Sequence, residues 1–169
     1  SNIPGRPENL HRYNIVLKSL LAGCKFLEKS KCKFIAIPCN TAHYWFDDLQ
    51  KKTKIPIISM PKEVYAHSIK TCKKSSKIGL LATEGTIKTG VYNKFFDKKF
   101  ILINPSKSIQ KNNVNKAIKL VKMGKIKEAE KAVRPAVNTL IKMKCSKIIL
   151  GCTELPIAIF AFKSFQKIK

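Results

Sequence analysis

The chain has few acidic residues and almost no arginine, and both shortages narrow the classes of protein to which it can belong. Its 169 residues include 34 lysines and arginines against 10 aspartates and glutamates, a formal net charge of +24 at pH 7. Only Arg6, Arg12 and Arg134 are arginines, whereas nucleic-acid-binding proteins generally use arginine forks interleaved with aromatic rings. The lysines are spread along the chain, which indicates a solvated surface that attracts anionic small molecules. We expect no specific nucleic-acid site.

The sequence also lacks a long apolar run and a cysteine pattern typical of metal sites. Without 18 consecutive apolar residues or a secretory N-terminus, we expect a soluble, cytoplasmic protein with no membrane partner. Six cysteines are present, at positions 24, 32, 39, 72, 145 and 152. They form no C-x-x-C motif, and the three histidines lie at no zinc-like spacing from them, so we expect no metal. Reduced thiols are expected rather than disulfides in a chain of this kind.

Apolar periodicity predicts helices that alternate with short strands. We predict strands at 33–38, 55–60, 77–82, 100–103 and 147–151. Helices are predicted at 8–30, 43–52, 61–73, 87–96 and 114–143, the last divided near Gly124 and either kinked or restarted at Pro135, and loops at 83–86 and 106–113. This alternation predicts an α/β fold with parallel sheets flanked by helices. We expect two pseudo-symmetric half-domains, residues 1–75 joined by 156–169 and residues 76–155.

Two of the predicted strands end in a cysteine within a similar sequence. Cys39 follows the apolar run at 34–38 and precedes Asn40 and Thr41, and Cys152 follows the run at 147–151 and precedes Thr153. Open α/β sheets bind their ligands beyond the carboxyl ends of the strands. We therefore expect the two thiols to face one another across a cleft between the half-domains.

Paired thiols in such positions suit proton transfer at carbon. A helix N-terminus lowers the pKa of a cysteine, so that a thiolate can remove a proton next to a carboxylate. A second thiol on the opposite face can return the proton and invert the stereocentre. The alternative is that both cysteines only pack, since unpaired cysteine is among the most buried residue types. His43 either helps to hold a thiolate or is structural. Glu154 either orients the Cys152 thiol or receives its proton, or it is a first-turn carboxylate favoured by the helix dipole.

Three motifs resemble one protein family. They are Pro38-Cys39-Asn40-Thr41-Ala42-His43, Gly151-Cys152-Thr153-Glu154-Leu155-Pro156, and Leu80-Leu81-Ala82-Thr83-Glu84-Gly85-Thr86 followed by Gly90-x-Tyr92. Together they resemble the cofactor-independent aspartate/glutamate racemase superfamily over residues 3–156. The aspartate racemase branch is the most similar, because glutamate racemases tend to carry His where this chain has Glu154.

The resemblance implies a fold, a site and an activity. It implies an active site in the cleft between two α/β half-domains, no pyridoxal phosphate or other cofactor, and Cys39 and Cys152 as the proton-transfer pair. The implied substrate-binding residues are Arg6, Asn40, Thr41, Thr83, Lys122 and Thr153, with His43 and Glu154 in support. Among them, Arg6 and Lys122 are the candidates for the side-chain carboxylate of the substrate.

We accordingly expect a racemase that interconverts L- and D-aspartate, with glutamate as the other candidate substrate, and a homodimer. One alternative is a related isomerase or decarboxylase of another small dicarboxylate. Another is a truncated, non-catalytic protein that binds anions. We consider this second alternative because the family normally has a strand and a Gly-Gly-Met type loop well upstream of an Ile-Pro-x-Arg segment, which is residues 3–6 here. The family also continues with a further strand and helix after the position of Pro156. This chain has neither the upstream strand and loop nor that continuation.

Overall fold

Two parallel sheets organise residues 5–160, the part of the chain that the computed structural model describes. The strands are β1 (Ile35–Ala36), β2 (Ile57–Ile58), β3 (Lys77–Ala82), β4 (Ile101–Ile103) and β5 (Lys147–Gly151). The first sheet pairs β1 with β2, and the second has the order β4-β3-β5. All three pairings are parallel, and helices separate the strands along the chain. The predicted α/β fold with parallel sheets flanked by helices is confirmed.

The helices account for most of the remaining described residues. They are α1 (Tyr13–Lys29), α2 (Phe46–Lys51), α3 (Met60–Thr71), α4 (Glu84–Lys88), α5 (Asn93–Phe96), α6 (Lys107–Ile109), α7 (Lys116–Lys122), α8 (Ile126–Lys142) and α9 (Glu154–Phe160). Short 3-10 turns occupy Leu10–Arg12 and Thr41–Trp45, and a π turn occupies Gln110–Asn115. Within residues 5–160, no helix is long and apolar enough to cross a lipid bilayer.

Strand β3 is the centre of the second sheet, and its register places the site. Five of its six residues are buried, because it is paired on both edges and covered on both faces. Ala82 at its end pairs with Gly151 at the end of β5. Thr83 and Cys152 therefore leave the sheet side by side, at the carboxyl edge where open α/β sheets bind ligands.

Three apolar clusters fill the space around the sheets. The first joins α1 to β1, β2 and Trp45, which is fully buried. The second lies between one face of β3 and helices α7, α8 and α9, and the third is an aromatic cluster on the other face. Helix α3 packs on the aromatic cluster through Val64 and Tyr65, while Leu155 and Ala158 of α9 pack in the second cluster. The division into half-domains at residue 75 stays a prediction, and residues 1–4 and 161–169 lie outside the described part.

Both predicted loops are wrong, and the helix predicted at 87–96 is divided into α4 and α5. Residues 83–86 do not form a loop before the next helix, since α4 already begins at Glu84 and the Thr83 hydroxyl caps it by accepting from Thr86 N–H. Residues 107–113 are helical, not a loop, in the segment from α6 through the π turn, and the Ser106 hydroxyl caps α6 by accepting from Ile109 N–H. Their polar composition carries little helical signal, but Gln110 and Val114 are buried against the second sheet, and these tertiary contacts override local propensity. Pro135, for which the sequence left a kink or a restart open, lies inside α8.

Shortening Leu140 is expected to cost about 3 kcal/mol of unfolding free energy, since truncating a fully buried leucine removes transfer energy and leaves a cavity. Leu140 lies directly beneath β3, where a Cβ on Gly79 would come within 2.7 Å of its Cδ1. Urea denaturation of Leu140→Ala measures the effect. The matched control is Ile141→Ala, one residue on and 45% exposed, for which we expect a loss below about 1 kcal/mol. Equal losses in the two variants would contradict this account of the core.

Candidate functional site

Cys39 lies beside a guanidinium group. Its Sγ accepts from Arg6 Nε at 3.4 Å and from Arg6 Nη2 at 3.5 Å. Arg6 reaches the sulfur because Gly85 has no side chain: a Cβ there would lie 2.8 Å from the Cα of Pro7. The sequence associated Arg6 with the side-chain carboxylate of a substrate, and that role stays a prediction.

His43 holds the backbone around Cys39. Its Nε2 accepts from the N–H of Met60 at 3.1 Å, so its Nδ1 carries the hydrogen and donates to the carbonyl oxygen of Cys39 at 2.9 Å. Burial lowers the pKa of His43, which favours the neutral ring that this pairing requires. Both ring nitrogens are thus engaged with backbone, and the ring ties the Cys39 segment to the start of α3.

Asn40 is oriented by a buried tyrosine that the sequence did not single out as a site residue. The hydroxyl of Tyr92 donates to Asn40 Oδ1 at 2.6 Å, and both residues are buried. Burial also raises the pKa of Tyr92, so the phenol stays a donor. This contact fixes the amide so that its Nδ2 remains the donor for another partner. The signal was present in the Gly90-x-Tyr92 motif.

Three threonine hydroxyls meet where the Cys39 segment joins α4. Thr41 Oγ1 lies 2.8 Å from Thr86 Oγ1 and 3.2 Å from Thr83 Oγ1, and the last two are 3.0 Å apart. Thr41 is 2% exposed and Thr86 is as buried, whereas Thr83 is partly exposed. Thr83 is therefore the most accessible of the three to a ligand, and a substrate contact for Thr41 stays a prediction. Thr86 was not among the predicted site residues.

Cys152 lies beside a carboxylate instead of a cation. Its thiol donates to Glu154 Oε2 at 2.9 Å, and the Thr153 hydroxyl donates to the same oxygen at 3.0 Å. Burial, together with the hydrogen bond to Glu154 and its charge, raises the pKa of Cys152 to about 12. The backbone N–H of Glu154 at the start of α9 acts to lower this pKa, as expected, but burial and the carboxylate outweigh it.

Glu154 is the acceptor at the centre of this group. Burial acts to raise its pKa, but the hydrogen bonds from Cys152, from its own backbone N–H and from Thr153 outweigh burial and lower it. The ammonium of Lys122 lies 3.9 Å from its other oxygen, Oε1. The pair therefore consists of a protonated thiol and an ionised carboxylate.

The raised pKa of Cys152 gives a stability prediction at alkaline pH. An unfolded thiol loses its proton near its ordinary pKa of 9.0, while the folded one keeps it until about 12. The unfolded state then binds fewer protons, so the unfolding free energy falls as pH rises through this window. Denaturation of wild type and Cys152→Ser between about pH 8 and about pH 11 should show wild type losing stability relative to the variant. The variant is needed because Tyr13 and Tyr92, whose pKa values are also raised, act in the same direction in both proteins. A constant difference across the range would contradict the prediction.

A cavity of about 670 Å³ opens beside these groups. It is bounded by the segment at 7–11, by the start of α4 and by α7, and Thr83 and Lys122 line it. Among the residues described, Cys39 and Cys152 are outside the lining. Each is joined to the wall through a neighbour: Cys39 through Arg6, which precedes Pro7, and Cys152 through Glu154, which lies beside Lys122. Of the predicted site residues, Thr83 and Lys122 line this cavity, and the facing of the two thiols across one cleft stays a prediction.

Three of the remaining cysteines lie in or against the apolar clusters, where Cys39 and Cys152 also pack. All six cysteines fall within the described residues, and all six are free thiols. Cys24 is buried in the first cluster, and Cys72 and Cys145 pack against the other two. These positions agree with packing roles for those three.

Comparison with known proteins adds evolutionary relatives to this geometry. The sequence pattern of a family described as Asp/Glu/Hydantoin racemase matches residues 1–164. A broad-specificity amino-acid racemase of Bacillus subtilis is 28% identical over 142 residues, which are 82% of this chain and 59% of that protein. A glutamate racemase of Limosilactobacillus reuteri is 33% identical over 135 residues, 78% of this chain and 48% of that protein.

A solved structure is similar over nearly the whole chain. The aspartate racemase of Picrophilus torridus superposes with a TM-score of 0.77 at 26% identity, covering 98% of this chain and 68% of that one. The chain spans only 59% and 48% of the length of the two curated relatives above.

Proposed function

This chain belongs to the Asp/Glu/hydantoin racemase family, and from that premise we propose that it is a cofactor-independent amino-acid racemase that interconverts L- and D-aspartate. The proposal depends on one observation above all, the opposite surroundings of the two thiols. The sulfur of Cys39 lies against a cation, Arg6, and the sulfur of Cys152 against a carboxylate, Glu154. Racemisation by two bases requires one thiolate and one thiol at a time, and this asymmetry supports such a pairing.

Cys39 is the proposed base for one direction of the reaction. Hydrogen bonds from an ionised donor to an ionised acceptor are among the strongest in proteins, so the two N–H groups of Arg6 would stabilise a Cys39 thiolate. The thiolate takes the proton from Cα, and the electron pair of the C–H bond moves into the adjacent carboxylate. Donors on that carboxylate stabilise the charge that develops there. Asn40 Nδ2 and the Thr83 hydroxyl are the proposed donors.

Cys152 is the proposed acid for the same direction. Its raised pKa keeps the proton on sulfur until the carbanion forms. The thiol then gives its proton to the opposite face of Cα, and the configuration is inverted. Cys152 is left as the thiolate and Cys39 as the thiol, which is the state required for the reverse direction. Glu154, which accepts from the Cys152 thiol, is the proposed group through which that proton exchanges.

The proposed substrate is a small dicarboxylic amino acid. Lys122 and Thr83 line the cavity, and the remaining predicted contacts, Asn40, Thr41 and Thr153, lie in the segments that follow the two cysteines. Relatives are named for aspartate, for glutamate and for broad specificity. We propose aspartate first, because Glu154 stands where glutamate racemases tend to carry His, and glutamate as the second substrate to test.

Incubation with L-aspartate in deuterium oxide under reducing conditions tests the activity. We expect D-aspartate to appear and deuterium to enter at Cα, and the same assay with L-glutamate gives the preference. A folded, reduced sample that binds aspartate with a strong salt dependence but exchanges no Cα proton would support the anion-binding alternative and refute the racemase.

A further inference from the structure

The π turn at 110–115 brings two amide side chains together that an α-helix would separate. Residues five apart in an α-helix point about 140° away from one another. The wider π-helix closes i→i+5 hydrogen bonds, which brings such residues nearly into line, and π turns often occur at functional sites. Here Gln110 Nε2 donates to Asn115 Oδ1 at 2.8 Å. The irregular turn therefore has a consequence for side chains as well as for backbone.

Gln110 anchors this pair to the sheet. Its Nε2 also donates to the carbonyl oxygen of Ala82, the last residue of β3, at 2.8 Å. Only 6% of Gln110 is exposed, and its Oε1 is buried without a partner among the described residues. A buried polar atom without a partner is costly. The amide of Gln110 is thus held in this position although its oxygen has no hydrogen-bond partner among the described residues.

The pair ends on a carboxylate in the cavity. Asn115 Nδ2 donates to Glu84 Oε1 at 2.7 Å, and both residues line the cavity together with Thr83. Three lysines, Lys88, Lys119 and Lys122, line the same cavity. Within residues 5–160, none of them lies within ion-pair distance of Glu84. The carboxylate is therefore oriented by a neutral amide and forms no ion pair with these lysines.

We propose that Glu84 binds the α-ammonium group of the substrate and thereby makes the cavity select amino acids over dicarboxylates without an amino group. Asn115 is the positioning residue that aims the carboxylate, and Gln110 holds Asn115. Asn40 and Thr83 are the proposed donors to the α-carboxylate and Lys122 is a candidate for the side-chain carboxylate, so Glu84 in the cavity wall is left for the ammonium group. This inference rests on the proposed function, since it names the group that recognises the amino-acid class.

The experiment compares aspartate with succinate, which has the same two carboxylates and no ammonium. Calorimetry gives the dissociation constant of each ligand for wild type and for Glu84→Gln, and kinetics give KM and kcat. We expect Glu84→Gln to weaken aspartate binding about tenfold or more, the scale of a hydrogen bond between charged groups, and not to weaken succinate binding. KM for aspartate should rise in parallel. A wild type that binds succinate as tightly as aspartate would overturn the proposal.

The positioning role has a separate readout. Asn115→Ala should also weaken aspartate selectively, and the double variant with Glu84→Gln should bind aspartate no more weakly than Glu84→Gln alone, because the two residues act as one unit. Additive losses would refute the positioning role of Asn115.

A control and a rival residue complete the design. Glu128→Gln changes an exposed glutamate on α8, and we expect it to alter neither ligand. Glu8 is the other glutamate that lines the cavity. If Glu8→Gln abolishes the preference for aspartate and Glu84→Gln does not, the assignment to Glu84 is wrong. A wild type that does not racemise aspartate would refute the proposed function. The ligand preference measured by calorimetry tests the role of Glu84 independently of that activity.

Discussion

Replacing Cys152 with serine is expected to lower kcat/KM for aspartate racemisation by about a thousandfold or more, the upper part of the range for a positioned acid or base. A serine hydroxyl at this position neither gives up its proton to a carbanion nor takes one from Cα at neutral pH. The same loss is expected for Cys39→Ser. Polarimetry or chiral chromatography of the product measures both.

Controls separate the loss of chemistry from the loss of fold. Cys32→Ser changes a partly exposed thiol outside the proposed site, and we expect its activity to equal that of wild type. Thermal unfolding should show both active-site variants folded. Exchange of the Cα proton without inversion in one variant is compatible with the mechanism, because the remaining thiol still acts on its own face. A serine variant that racemises at the parent rate would remove the two-thiol mechanism.

Removing Arg6 is expected to produce the second-largest effect, a fall in kcat of about a hundredfold, similar to the loss of one electrostatic donor in other enzymes. Arg6→Ala takes away both N–H groups that point at Cys39 Sγ. Arg6→Lys restores the charge but not the fork, so an intermediate rate is expected. Steady-state kinetics over a range of aspartate concentrations give kcat and KM separately.

The split between the two parameters identifies what Arg6 contacts. A fall in kcat with little change in KM agrees with stabilisation of the Cys39 thiolate. A rise in KM alone would show that Arg6 binds the substrate carboxylate, the role that the sequence suggested. Arg12→Ala, which removes an exposed arginine from the 3-10 turn Leu10–Arg12, is the matched control. Equal effects of the two substitutions would contradict any specific role for Arg6.

The fold was largely predictable because its strands are continuous apolar runs bounded by polar breaks. β3 and β5 lie at their predicted positions, and α3 begins at Met60, one residue before its predicted start. The prediction of a loop at 106–113 was wrong because Gln, Lys and Asn carry a weak helical signal. The helix there forms through contacts with the distant strand β3. The half-domain boundaries, a homodimer and a cytoplasmic location stay predictions.

The site was predictable only as far as matching motifs extend. The context shared by Cys39 and Cys152 pointed to the same edge of the fold, where the register of β3 and β5 places Cys152 next to Thr83. The different partners of the two sulfurs were not predictable, because Arg6 meets Cys39 across 33 residues of sequence. The rise in the pKa of Cys152 was missed for the same reason: burial depends on tertiary packing, which a motif does not encode.

The hydroxyls of Thr41, Thr83 and Thr86 have a further consequence for how a bound acid is sensed. Each of these three hydroxyls can donate to the next, and a ring of hydrogen bonds of this kind can run in either direction. When an acceptor oxygen enters from the cavity, the Thr83 hydroxyl donates to it and gives up the longest of the three contacts, the 3.2 Å contact with Thr41. The ring then becomes an open relay with a single direction, from Thr41 through Thr86 to Thr83. A bound acceptor thereby fixes which hydroxyl donates to which where the Cys39 segment meets α4.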